Sequence, residues 1–146
     1  HDFGKVVMNN ELPDIFSEVM MKIYNDDVES IVAEEELYGF NHAEIGAGVV
    51  GKWGFSPVLV EIMDKHHLNT VKLQDIKDPV IAKSVAIANL ADMACKYLGI
   101  GYRNPDTTIN LHERPSAVFL KFEKKNIEIL TAKIQETYDS EKSIFE

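Results

Sequence analysis

The sequence predicts an all-α protein, and three observations support this expectation. Apolar side chains recur at steps of four residues, as in Ile15, Val19 and Ile23 of PDIFSEVMMKIYN, which is the spacing of one face of a helix. Three later segments begin with signals that are typical of helix starts. Two of them begin with Ser or Asp directly before Pro, and one begins with Asn three residues before Glu. Patterns typical of β-strands are weak throughout the chain.

The predicted helices follow one another along the whole chain, separated by short polar connections. Their ranges are 3 to about 9, 13–25, 26–40, 41–55, 56–67, roughly 79–98 and 115 to about 140. The acidic run Glu34 to Glu36 is interpreted as a solvent-facing surface. Small residues at Gly46, Ala47, Gly48 and Gly51 favour another helix packing very close to that segment. Residues 99–114 are rich in turn-forming residues and are expected to be irregular.

Length and composition favour a single globular domain, with a core over about 1–105 and a C-terminal surface helix over about 115–140. The chain has 146 residues and a formal net charge of −9, which argues against binding a nucleic-acid polymer or an anionic membrane, because both need a basic face. Cys95 is the only cysteine, and its apolar neighbours indicate a small core residue. An intrachain disulfide is therefore impossible, and we expect a cytoplasmic setting. No apolar run is long enough for a transmembrane helix.

Histidine and aspartate side chains occur in four groups, each on or at the end of a predicted helix. Facing helices of a bundle commonly bring such ligands together around a metal ion. Imidazole and carboxylate ligands suit Fe, Mn, Ni or Zn better than Ca or Mg. Each residue alone has an ordinary structural explanation, such as a histidine at the negative end of a helix dipole. Asp92 is harder to explain in that way, because a carboxylate among apolar residues is seldom buried without a partner. The groups are His1-Asp2, His42, His66-His67 and Asp92.

This ordered set resembles the HD superfamily of metal-dependent phosphohydrolases, and more closely its HDOD branch, the HD-related output domains of bacterial signalling proteins. The resemblance is carried by HDFGKVVM at residues 1–8, by EEELYGFNHAEIGAGVVGKWGFSPVLVEIMDKHH at residues 34–67 and by VAIANLADMACKYLGIG at residues 85–101. It covers essentially the whole chain and is weak after residue 105. The resemblance implies an HD-like helical bundle.

The resemblance also implies roles for particular residues. Six residues match positions that bind one or two metal ions in active HD proteins, and Asp2 is expected to bridge the ions. Lys5 matches a residue that contacts a substrate phosphate, so Asp2 and Lys5 are the expected catalytic residues. The six expected metal ligands are His1, Asp2, His42, His66, His67 and Asp92.

The chain also departs from the family pattern. HD hydrolases use a ligand-bearing helix upstream of the His-Asp doublet, and HDOD proteins have a helical N-terminal half there, but neither precedes His1. We therefore expect the sequence to be the C-terminal part of a larger helical domain. The Gly-Tyr-Pro signature of relatives that cleave cyclic di-GMP does not follow His67, and GIGYRNP at residues 99–105 is interpreted as a helix-ending turn.

Three functional hypotheses follow, and the residues leave open whether the chain is an enzyme. The favoured one is a bacterial signalling output domain that contacts a kinase or a response regulator. The second is a metal-dependent phosphohydrolase of a nucleotide or another phosphoester. The third is a metal centre that only stabilises the fold.

Overall fold

The computed structural model describes residues 1–68 and 71–144, and these residues contain helices and no β-strand, which confirms the all-α prediction. The chain divides into two compact units, His1–Thr70 and Val71–Glu146. The expectation of one domain over residues 1–146 stays a prediction. Within the described part of the chain, no helix is both long enough and apolar enough to cross a membrane.

The described residues of the first unit, 1–68, form five helices. Helix α4 packs on both α1 and α5, α1 packs on α2, and α2 packs on α3. Buried Met8, Val19 and Ala33 form the centre of its core, from α1, α2 and α3 respectively. The helix bounds are α1 Phe3–Glu11, α2 Pro13–Asp26, α3 Ser30–Tyr38, α4 His42–Lys52 and α5 Pro57–Lys65.

Local capping chemistry explains where α4 and α5 begin, as the sequence predicted. The Asn41 side chain accepts a hydrogen bond from the Glu44 backbone N–H, and the Glu44 carboxylate accepts one from the Asn41 N–H, which completes a capping box. Ser56 is the N-cap of α5, and Pro57 occupies its first helical position, where a missing N–H costs nothing. The start of α4 matters for the candidate site, because the predicted ligand His42 is its first residue.

Two glycines allow α1 and α4 to approach each other closely. A Cβ atom on Gly46 would lie 3.0 Å from the Gly4 backbone nitrogen and 3.3 Å from its Cα. The expectation that another helix packs tightly on the small residues of α4 is thus confirmed at Gly46, and its partner is α1. At Gly48 the expectation is wrong, because an added Cβ would meet no atom within 4 Å.

The second unit consists of α6 Pro79–Leu98, α7 Pro115–Phe119 and α8 Lys124–Glu141, with short 3₁₀ turns at Leu73–Asp75, Leu111–Glu113 and Lys142–Ile144. Asp78 caps α6 by accepting hydrogen bonds from two backbone N–H groups. Gly99 ends α6 in the left-handed conformation, so the interpretation of GIGYRNP as a helix-ending turn is confirmed.

The single helix expected over residues 115–140 is wrong, because the structure has α7 and α8 there. Lys121 adopts a positive φ of 57°, and the Phe122 N–H donates to the Ala117 carbonyl, which closes α7 as a C-terminal motif. Glu123 and Asn126 then form a capping box that starts α8. Phe122 packs on the core of this unit between the two helices.

Candidate metal centre

The first unit brings three helix ends together, and each carries a predicted ligand. Asp2 directly precedes α1, His42 begins α4, and His66 and His67 follow the last turn of α5. The contact between Gly4 and Gly46 holds the start of α1 against the first turns of α4. Side chains that are up to 65 positions apart in the sequence therefore share one site.

Four donor atoms converge in this site, which we call the His/Asp cluster: Asp2, His42, His66 and His67. Their potential ligand atoms all lie within 4.8 Å of one another. Asp2 Oδ1 is 3.2 Å from His42 Nε2 and 3.6 Å from His66 Nε2, and His42 Nε2 is 3.0 Å from His67 Nε2. Two ligands about 2.1 Å from one ion lie roughly 3.4 Å apart at a tetrahedral angle. These three separations lie on both sides of that value, so the four residues could hold a metal ion.

Hydrogen bonds on the far side of two imidazole rings support the same interpretation. His66 Nδ1 lies 2.7 Å from the Met63 carbonyl oxygen, which can only accept a hydrogen bond, so this nitrogen carries the proton. His42 Nδ1 lies 2.7 Å from Glu34 Oε2. In a neutral ring whose Nδ1 donates, the lone pair is on Nε2 and faces the cluster. Metal-binding histidines almost always have such an outer partner.

The charges of the site favour an ionised Asp2. Burial acts to raise the pKa of this carboxyl, but close contacts with the His42 and His66 rings and the charge of Lys5 outweigh it, and the pKa is held well below its usual value of 3.8. Burial likewise acts to lower the pKa of His42, but contacts with Asp2 and Glu34 raise it above 6.5. A ring nitrogen that binds a metal must first lose its proton, so metal affinity should increase with pH.

Lys5 and His1 both lie near Oδ2 of Asp2, which is not the oxygen that faces His42 and His66. Lys5 Nζ donates to Asp2 Oδ2 at 2.9 Å, while Oδ1 faces His42 and His66. His1 Nε2 is 3.6 Å from the same Oδ2 atom, and the His1 ring contacts that of His66 edge-on at 4.8 Å between centroids. His1 thus lies beside the His/Asp cluster without contributing one of its four converging atoms.

Asp92, the remaining predicted ligand, belongs to the second unit. It is buried in α6, and its Oδ1 accepts a hydrogen bond from the Tyr102 hydroxyl at 3.0 Å. The expectation that a carboxylate among apolar residues has a partner is confirmed by this contact. Its assignment as a metal ligand stays a prediction.

Sequence reasoning missed Glu34, which was placed on a solvent-facing surface. The structure shows that only 1% of Glu34 is exposed, whereas Glu35 and Glu36 are exposed as expected. Its position three residues after buried Ile31 was the available signal, because residues three apart share one helix face. The acidic run obscured that signal.

The carboxylate and the three imidazoles come from separate helix ends of an all-α unit and meet at one point, where they could hold a metal ion. Residues 1–69 match the family model of the HDOD domain, in agreement with the resemblance that the sequence indicated. The matched region contains His1, Lys5 and all four members of the His/Asp cluster, whereas Asp92 lies outside it. No curated protein matches the chain, and no solved structure does so.

Proposed function

We propose that this chain is a bacterial HDOD-type output domain whose His/Asp cluster binds a divalent transition metal, Fe, Mn, Ni or Zn. The single observation that carries the proposal is the convergence of four donor atoms within 4.8 Å. Three of the four are imidazole nitrogens, which suit these metals better than Ca or Mg. A mononuclear site agrees best with the four converging atoms, and a second ion would need further ligands such as His1.

The proposed regulatory role is contact with a signalling partner, a kinase or a response regulator, in the cytoplasm. The HDOD match over residues 1–69 supports this role. Metal binding would serve it by fixing the start of α1 against α4 and α5, because the ligands come from all three helices.

Metal analysis of the purified chain tests the binding proposal. We expect about one equivalent of a transition metal per chain, and we expect substitution of His66 by Ala to remove most of it, because a buried ligand is lost. The matched control is His112→Ala, since His112 is the fifth histidine and sits beside exposed Glu113 in the second unit. Equal metal content in wild type and His66→Ala would refute the site.

Pull-down from a lysate of the source bacterium, with and without a chelator, tests the proposed contact with a signalling partner.

A second candidate function is phosphoester hydrolysis, and the position of Lys5 favours it. The Lys5 ammonium lies 2.9 Å from Asp2 at the edge of the His/Asp cluster, where it would stabilise negative charge on a phosphoryl group. A bound ion would supply an acidified water and polarise the phosphoryl oxygen. Asp2 would hold that ion through Oδ1 while Oδ2 orients Lys5.

Turnover of p-nitrophenyl phosphate and of cyclic dinucleotides tests this second function. We expect Lys5→Met to keep its metal content and to lose most of the activity, whereas Lys52→Met, at the exposed end of α4, should leave activity unchanged. Activity that is the same in wild type and in both variants would refute the role of Lys5.

A further inference from the structure

Glu34 is a buried carboxylate, and among the residues that the structure describes its hydrogen bonds are with His42 alone. Its Oε2 atom accepts the backbone N–H of His42 at 2.8 Å and faces His42 Nδ1 at 2.7 Å. Its other oxygen, Oε1, is buried and accepts no hydrogen bond from any described residue. Glu34 is on α3 and His42 begins α4, so these contacts connect two helices at the cluster.

Burying a carboxylate is costly, and no Lys or Arg in the described part of the chain forms an ion pair with Glu34. Among residues 1–68 and 71–144, His42 is the residue that forms an ion pair with Glu34. Replacing a buried ion pair by well-packed apolar residues is often neutral or favourable for stability. A purely architectural contact between α3 and α4 would therefore suit apolar side chains at both positions as well or better.

The two contacts together define how the His42 ring is held. The bond to the backbone N–H fixes the carboxylate against the first turn of α4, where helix N–H groups lack intrahelical partners. The bond to Nδ1 fixes the ring rotation and retains the proton on Nδ1. Nε2 then points to the other donor atoms, 3.2 Å from Asp2 Oδ1 and 3.0 Å from His67 Nε2.

We propose that Glu34 is a positioning residue for the metal ligand His42, which it holds in the Nδ1–H tautomer with Nε2 directed into the His/Asp cluster. This inference rests on the proposed function, that the cluster binds a metal. Outer-sphere carboxylates of this kind orient the ligand and increase its basicity.

The test compares Glu34→Gln with Glu36→Gln. Glutamine at position 34 keeps the size of the side chain but removes the charge that favours the Nδ1–H proton. Glu36 is on the same helix and pairs with Lys22 in an exposed contact, so its substitution controls for the loss of one acidic residue from α3. Two quantities are measured for each protein: the affinity for Zn²⁺ by competition with a chelator, and the tautomer of the His42 ring by ¹⁵N NMR of the metal-free protein in alkaline solution.

We expect wild type and Glu36→Gln to show the Nδ1–H tautomer at His42 and the same Zn²⁺ affinity. Glu34→Gln should show mixed tautomers and bind Zn²⁺ about 10- to 100-fold more weakly, with a far-UV circular dichroism spectrum like that of wild type. A residue that only supports the fold would alter unfolding without altering the tautomer.

Two results would overturn the inference: an Nε2–H tautomer at His42 in wild type, or a Glu34→Gln variant with unchanged tautomer and Zn²⁺ affinity. The first is measured on wild type, so it applies even if the variant does not fold. Failure of the proposed function looks different. In that case wild type binds no Zn²⁺ while its His42 ring still shows the Nδ1–H tautomer, which supports the positioning of the ring and rejects the metal.

Discussion

Substitution of Gly4 by Ala should disrupt the contact on which the candidate site depends. Gly4 is buried in α1, and a Cβ atom there would lie 1.8 Å from the His42 carbonyl oxygen and 2.9 Å from the Gly46 nitrogen. Both atoms belong to the backbone of α4, so no side-chain rotation can relieve the overlap. Because His42 is a predicted metal ligand, a clash with its carbonyl should disturb the candidate metal site as well as the packing of α1 on α4.

The magnitude follows from these distances. Real Cβ atoms essentially never approach another heavy atom closer than 3.0 Å, so α1 and α4 would have to separate by about 1 Å, and such overpacking costs about 1–3 kcal/mol or more. The higher helix propensity of Ala would recover about 1 kcal/mol at most. We therefore expect a net loss in the free energy of unfolding. Asp2, two residues from Gly4, would move away from His42 Nε2, and metal affinity should fall as well.

Urea denaturation followed by circular dichroism measures the loss, and Gly48→Ala is the matched control. Gly48 is an exposed residue within α4, and a Cβ there would meet no atom within 4 Å. Relief of glycine's backbone entropy should stabilise that variant by about 0.5–1 kcal/mol. The two substitutions are chemically identical and should have opposite signs. A Gly4→Ala protein that unfolds at the same urea concentration as wild type, or a higher one, would refute the proposed packing.

Three further predictions concern a thiol, a helix cap and the metal. Burial and, to a smaller extent, the charge of Asp92 raise the pKa of the Cys95 thiol above 9.0. The pH profile of the alkylation rate should therefore have its midpoint above pH 9.0. A midpoint at or below that pH would contradict the packing of α6. Asn41→Ala removes the capping box of α4 and should cost about 1 kcal/mol in urea denaturation. Asn41→Ser keeps an acceptor oxygen and adds no charge beside Glu35, so it should cost less, and equal stabilities of the two variants would exclude the cap. Free Zn²⁺ at about 100 times its dissociation constant should increase the free energy of unfolding by about 2.7 kcal/mol. A chelator should reverse this increase. An equal increase in His66→Ala would argue against binding at the His/Asp cluster.

Features that depend on neighbours in the sequence were predictable from the sequence alone. The starts of α4, α5 and α6 follow from Asn41, Ser56 and Asp78 with their adjacent residues, because a cap needs only a side-chain acceptor and the first N–H groups of its own helix. The types of ligand were equally visible, since imidazole and carboxylate groups can be identified wherever they stand. The break at Lys121 was missed because non-glycine residues seldom adopt a positive φ.

Features that depend on packing were decided by the tertiary structure. Small residues in α4 indicated a close neighbour, but only the fold identified Gly4 as that neighbour and showed Gly48 to be open. Glu34 is indistinguishable in type from Glu35 and Glu36, and only the position of α4 against α3 buries it on His42. The sequence therefore determined which residues can bind a metal. The tertiary structure decided which donor atoms meet, because it brings together three helix ends that are distant in the chain. Contacts between backbones hold these helix ends in place.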